Sequence, residues 1–198
     1  MAKRESTFLN MVLTLLIVTA VASFTLASVY NLTKEPILRA REETRQAAIR
    51  LVVPEFDELV MRRFMPPTGS DSLEFNLVYR GDELVGVAVS TYTGMGYSGR
   101  IRAMVGLDPE GRIIDVVHLE HAETPGLGDK IDKSRSDWSD QFRDFDPGAR
   151  DLRVVSDGGE VDAITAATIT SRAYCDALSR AYQTFIANKE SIINREGK

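Results

Sequence analysis

The chain has 198 residues, 43% of them hydrophobic, and its 29 acidic and 24 basic side chains leave a formal net charge of −5. That length fits one ordinary domain with something attached, and the acidic balance argues against a nucleic-acid partner, whose phosphates would repel it. Cys175 is the single cysteine, so no intrachain disulfide forms and the core must hold unaided; metal ligation through one cysteine would be unusual.

The attached part comes first. From Ser6 to Thr33 there is no charged residue, and Phe8 to Tyr30 is rich in Leu, Val, Ile, Ala and Phe. About twenty apolar residues rising ~1.5 Å each cross a hydrocarbon core of roughly 30 Å. Ala20-Val21-Ala22 weakly resembles a signal-peptide cleavage site, but the apolar run continues through Phe24, Leu26 and Val29 and outlasts a signal core. A retained transmembrane helix is expected. Lys3 and Arg4 before it place everything after Tyr30 on the outer face, a modest signal because Lys34, Arg39 and Arg41 follow closely.

Next, Lys34 to Val53 carries apolar residues at Ile37, Ala40, Ala47, Ala48, Leu51 and Val52 with charges between them, the pattern of an amphipathic stalk helix continuing from the span. Pro36 is read as near its start, where a missing N–H does least harm. Arg62 to Ser72, with Pro66, Pro67 and Gly69, reads as a loop. Two hairpins follow: Phe75 to Tyr79 and Leu84 to Tyr92 around Gly81-Asp82, then Ile101 to Leu107 and Ile113 to Leu119 around Asp108-Pro109-Glu110-Gly111. A helical patch holds Ile131, Trp138 and Phe142, and Val154 to Val161 is strand-like with a turn at Gly158-Gly159. A helix from about Ser171 to Asn188 shows Tyr174, Leu178, Ala181, Tyr182 and Phe185 on one side. The expected fold is α+β: one N-terminal transmembrane helix, then a mixed, mostly antiparallel sheet domain with flanking helices. The expected division is 1–33 tail and anchor, 34–60 stalk helix and 61–198 an extracytoplasmic domain.

Chemistry concentrates in two places. Asp162-Ala163-Ile164-Thr165-Ala166-Ala167-Thr168, followed by Ile169, Thr170 and Ser171, puts hydroxyls at the start of the last helix. The unpaired N–H groups and positive dipole end there suit a phosphate, although hydroxyls in such places most often only cap the helix. Glu123-Thr124-Pro125-Gly126-Leu127-Gly128 is, by itself, a turn signal. The first segment resembles the flavinylation motif Asp-x-x-Ser/Thr-Gly-Ala-Thr of the FMN-binding domain family, with Ala166 where that family usually has glycine. The second resembles the same family's Glu-Thr-Pro-Gly-Leu-Gly loop. Within the family, Gly96 to Phe142 and Asp162 to Ala177 are most similar to the G subunits of Rnf-type electron-transport complexes, and more distantly to the C subunits of sodium-translocating NADH:quinone oxidoreductases.

The resemblance implies FMN joined through its phosphate to Thr168 by a flavin transferase, with Asp162 and Thr165 as recognition elements. Ala167, Ser171 and Tyr97 would lie near the cofactor, and Glu123, Thr124, Pro125, Gly126, Leu127 and Gly128 would shape the ring pocket. It further implies an electron-carrier subunit of a redox-driven ion-translocating complex linking ferredoxin and NAD, held in the inner membrane by lipid and by the other subunits, with its soluble domain on the periplasmic side. An anchored redox sensor and a free-standing exported oxidoreductase are the alternatives.

Two weaker patterns are declined. Gly94-x-Gly96-x-x-Gly99 matches the dinucleotide fingerprint, but a strand rather than a helix follows, so a glycine-rich loop bordering the flavin is expected. His118 and His121 are three apart, which on a regular strand points them to opposite faces. A shared metal site would need a turn between them, so no metal is expected and His121 is read as packing beside the Glu-Thr-Pro-Gly loop.

Overall fold

Helix α1, Phe8–Val52, takes up both the apolar run and the charged segment after it. The computed structural model describes residues 7–193, so Lys3 and Arg4, on which the orientation reading rests, lie outside the described residues. The chain divides between Thr44 and Arg45 into two units. In the first, the hydroxyls of Thr14, Thr19, Thr25, Ser28 and Thr33 each donate to a carbonyl one turn earlier, at 2.7 to 2.9 Å. These five hydroxyls are therefore satisfied within the helix itself, as they would have to be in hydrocarbon. Its most apolar stretch has a mean hydropathy of 2.3 and none of it is buried, so α1 is long and apolar enough to cross a membrane. Pro36 stands inside α1 rather than near a helix start, where it removes one N–H···O=C bond.

The second unit is built on a five-stranded sheet in the order β1-β2-β3-β4-β5: Glu58–Phe64, Leu73–Arg80, Glu83–Gly96, Gly99–Leu107 and Ile113–Glu120. Every neighbouring pair is antiparallel, because each strand turns back directly onto the one before it. Alternation divides the side chains. Phe75, Leu77, Val87, Val89, Ile101, Ala103 and Val105 enter the main core, while Val78, Ala88 and Met104 meet Ala48, Ile49 and Val52 from the end of α1. Helix α2, Thr168–Ala187, lays the expected stripe of Tyr174, Leu178, Ala181 and Phe185 into the main core, with Tyr182 half-buried. The Thr91 hydroxyl in β3 donates to the carbonyl of Ala177 at 2.8 Å and fixes α2 against the sheet. A short helix α3, Lys189–Ile193, follows.

Several expectations are corrected. The segment read as a loop begins with the end of β1, an edge strand whose inward residues are only Val60, Arg62 and Phe64, too sparse for a clear apolar alternation. The patch around Ile131, Trp138 and Phe142 is two 3-10 turns, Gly128–Ile131 and Trp138–Phe142. Val154 to Val161 forms a single parallel bridge around a third such turn, Val155–Asp157. Helix α2 starts three residues before the expected Ser171. The glycine-rich fingerprint is the β3–β4 hairpin, with Gly96 facing Gly99 and no helix after it.

One irregularity changes the reading of the histidines. In the β4–β5 ladder Arg102 faces Glu120 and Ala103 faces His118, which leaves Leu119 as the extra residue of a β-bulge. Glu120 thus shares a face with Arg102, 3.7 Å away, and His121 returns to the face of His118. The two imidazole centroids are 5.2 Å apart.

Candidate functional site

The segment before α2 is a tight turn closed by its own backbone and by Ser171. The Ala167 N–H donates to Ile164 O at 2.9 Å, the Ile164 N–H donates to Ser171 Oγ at 2.9 Å, and Ser171 Oγ donates to Ala167 O at 3.1 Å. Closing the turn puts Ala166 at φ 63°, in the left-handed region that disfavours a Cβ. Upstream, Gln141 grips the Asp162 backbone from both sides, accepting its N–H at 2.8 Å and donating to its carbonyl at 3.2 Å, while the Trp138 indole donates to the same carbonyl at 2.6 Å. Ala167 at the N-cap position has no side chain that could accept a first-turn N–H, so α2 lacks the usual side-chain cap there.

Glu123 ties this turn to the rest of the domain. It is 4% exposed; its Oε2 accepts the Thr170 hydroxyl at 2.6 Å and its Oε1 accepts the Ser98 N–H at 3.0 Å. One side chain thereby connects the β3–β4 hairpin, the loop after β5 and the first turn of α2. Gly128 and Gly96 make room for it. A Cβ on Gly128 would stand 2.8 Å from both Glu123 Oε2 and Thr170 Oγ1, and one on Gly96 would stand 2.8 Å from Glu123 Oε1.

These three segments enclose a cleft of about 490 Å³. Of the residues singled out in the sequence, it brings together Tyr97, Glu123, Thr124, Leu127, Gly128, Ala167 and Thr168. Ala166, Ile169 and Thr170 also line it and were missed; the Thr-Ile-Thr run itself was the available signal, since residues at both ends of a helix's first turn can face one cleft. Asp162, Thr165, Pro125 and Gly126 are exposed and do not line it, and Ser171 is buried in the turn beneath.

The cleft suits a flavin nucleotide chemically. Tyr97, Leu127 and Ile169 offer apolar surface that is 70%, 40% and 50% exposed, matching a flat aromatic ring, and the uncapped first turn of α2 suits a phosphate. No lysine or arginine is among the described residues lining it, and the Glu123 carboxylate there is bound to Thr170 and Ser98, so what the cleft offers an anion is the dipole end of α2. Behind the loop, His121 Nδ1 accepts the Glu123 N–H at 3.2 Å, seating the imidazole against the Glu-Thr-Pro-Gly loop as expected. Burial pushes the His118 imidazole below its ordinary pKa, with Asp132 opposing and His121 reinforcing the shift.

The domain joins an antiparallel meander to a helix whose N-terminus opens on a loop-lined cleft, and its residues 96–183 match the family described as "FMN-binding domain", which places it in the flavin-nucleotide-binding class. The chain belongs to the family formed by the G subunits of ion-translocating oxidoreductase complexes. It is 31% identical over 193 residues to the G subunit of Vibrio vulnificus (strain YJ016), covering 92% of each chain. With the Pseudoalteromonas atlantica (strain T6c / ATCC BAA-1087) G subunit it is 35% identical over 185 residues, 88% of this chain and 86% of the other. With that of Shewanella loihica (strain ATCC BAA-1088 / PV-4) identity reaches 43% over 119 residues, 59% of this chain and 56% of that one, so this match spans a little over half the relative's length.

Proposed function

We propose that this chain is a single-pass, membrane-anchored electron-carrier subunit of a redox-driven ion-translocating oxidoreductase complex, carrying FMN as a phosphoester on Thr168. What supports the attachment point most is that Thr168, the first residue of α2, is half-buried in the same cleft as Glu123, Thr124, Leu127 and Gly128. Bound FMN supplies exchange of electrons singly or in pairs. The residues do the rest. The Thr168 hydroxyl oxygen holds the phosphate, the first-turn N–H groups of α2 donate to it, and Leu127, Ile169 and Tyr97 exclude water from the ring. Glu123 fixes the hairpin, loop and helix that form the walls. With no lysine or arginine among the described residues lining the cleft, a phosphate held there only by dipoles would dissociate readily, which favours a covalent link for a protein outside the cytoplasm.

In this reading α1 anchors the chain in the inner membrane and a stalk leads to the FMN-bearing domain on the periplasmic side. A flavin transferase modifies Thr168, with Asp162 and Thr165 on the exposed approach to the turn as its recognition elements. The other membrane and peripheral subunits of an Rnf-type complex, working between ferredoxin and NAD, give and take the electrons.

The test is flavin fluorescence of the denatured chain on a gel, using protein from the producing organism and a Thr168→Val variant. Fluorescence in the first and none in the second, with equal thermal unfolding, supports the assignment; equal fluorescence in both overturns it.

A further inference from the structure

The bulge at Leu119 has a second effect besides turning the strand. On a regular strand His118 and His121 would face opposite ways; the extra residue puts both imidazoles on one face, beside the carboxyl of Asp132 at the end of the Gly128–Ile131 turn. One ligand atom from each of the three lies within 4.8 Å of the others. His118 Nε2 is 3.7 Å from Asp132 Oδ2. Asp132 is held in place through its other oxygen, Oδ1, which accepts the Ser134 N–H at 2.7 Å and leaves Oδ2 facing the imidazoles. All three residues are half-buried, the condition in which imidazole and carboxylate ligands stay reachable from solvent yet have fixed directions.

We propose that His118, His121 and Asp132 form a binding site for a divalent transition cation of the zinc type. Two imidazoles and one carboxylate suit this class of ion, and poorly suit calcium or magnesium, which take oxygen ligands. Ligand atoms around zinc at ~2.0–2.1 Å stand about 3.3 Å apart, so the trio closes by side-chain rotation of order 1 Å, with water completing the shell. The site is separate from the FMN cleft, but the loop that lines the cleft runs between His121 and Asp132. A cation bound there ties the two ends of that loop together.

The ring proton of His121 links the two. In the cation-free chain Nδ1 accepts the Glu123 N–H, so a neutral ring carries its proton on Nε2. Ligation through Nε2 moves the ring proton to Nδ1, and ligation through Nδ1 uses its lone pair, so either way the Glu123 N–H loses its acceptor. Occupancy is therefore reported at the residue that holds the cleft together, whether or not flavin is attached.

The experiment uses the full chain, free of any affinity tag, in detergent. Zn²⁺ binding is measured by competition with a chromophoric chelator, Co²⁺ binding by its visible spectrum, and the Glu123 amide is followed by nitrogen-15 NMR. The proposal expects one saturable site per chain, a Co²⁺ spectrum without a thiolate band, and a shift of the Glu123 amide on adding Zn²⁺. His121→Ala and Asp132→Asn should each weaken binding at least about tenfold. A wild-type chain with no saturable Zn²⁺ binding overturns it. So does binding that is unchanged in both variants while their thermal unfolding stays normal. Flavin attachment at Thr168 is not needed for any of these readouts, so loss of that assignment leaves this one standing.

Discussion

The Thr170 hydroxyl donates to Glu123 Oε2 at 2.6 Å, and both groups are buried, so a polar contact inside the wall of the cleft joins the first turn of α2 to the loop after β5. Removing one partner leaves a buried acceptor without its donor, which costs more than the bond itself contributes. Thr170→Val, which keeps shape and volume, is expected to lower stability by about 1–3 kcal/mol in denaturant unfolding. A change below about 0.5 kcal/mol would show that water or another donor takes over.

Ala166 presents the opposite case. At φ 63° it occupies a conformation that glycine adopts freely. Ala166→Gly relieves ~1 kcal/mol of left-handed strain and gives back part of it as unfolded-state entropy, so stability should be unchanged or rise by up to about 1 kcal/mol. Ala166→Val should destabilise, because a β-branched residue fits that region worse still. The pair is read by thermal unfolding, and a Val variant as stable as the Gly variant would contradict the geometry.

Asp115 in β5 binds Lys133 and Arg143, the latter at 3.1 Å, and joins the sheet edge to the Trp138–Phe142 turn. Burial raises its pKa, but hydrogen bonds from Lys133, the Val116 N–H and Arg143, with the Lys133 charge, outweigh that and hold it below the ordinary carboxylate value. A carboxyl with a depressed folded-state pKa contributes stability that is present above its unfolded pKa, near 4, and is lost as pH falls through the folded value. Asp115→Asn should therefore cost about 1 kcal/mol at neutral pH, moderated by solvent screening, and the two chains should converge in stability below about pH 4. A difference that persists unchanged at pH 2.5 would sink this account.

Cys175 is buried in α2, and burial pushes its thiol up to about 12. At pH 8 almost no thiolate exists to attack a disulfide reagent. The folded chain should be unreactive toward such a reagent for hours and should react with one equivalent once unfolded in guanidinium. Rapid labelling of the native chain would show that α2 opens there.

Local pattern was enough for the features that repeat along the chain. The uncharged apolar run dictates α1, alternation dictates β2 to β5, and the 3.6-residue stripe from Tyr174 to Phe185 dictates the buried side of α2. The two chemistry-bearing segments were legible through their resemblance to two motifs of one family, since each by itself reads as a helix cap or a turn, and seven of the twelve residues singled out in them and at Tyr97 line one cleft. Edge strand β1 was not legible, since it meets the core only through Val60 and Phe64 and its sequence carries little alternation.

Long-range packing settled the rest. That Glu123 reaches Thr170, 47 positions away, depends on where the sheet sets the loop against α2, a distance no local pattern encodes. The role of Ser171 as a lock beneath the turn, rather than a wall of the cleft, follows from the start of α2 at Thr168. And the shared face of His118 and His121 follows from one unopposed residue in the β4–β5 ladder: a strand's period of two reverses every side chain beyond a bulge, and the position of a bulge is chosen by the partner strand.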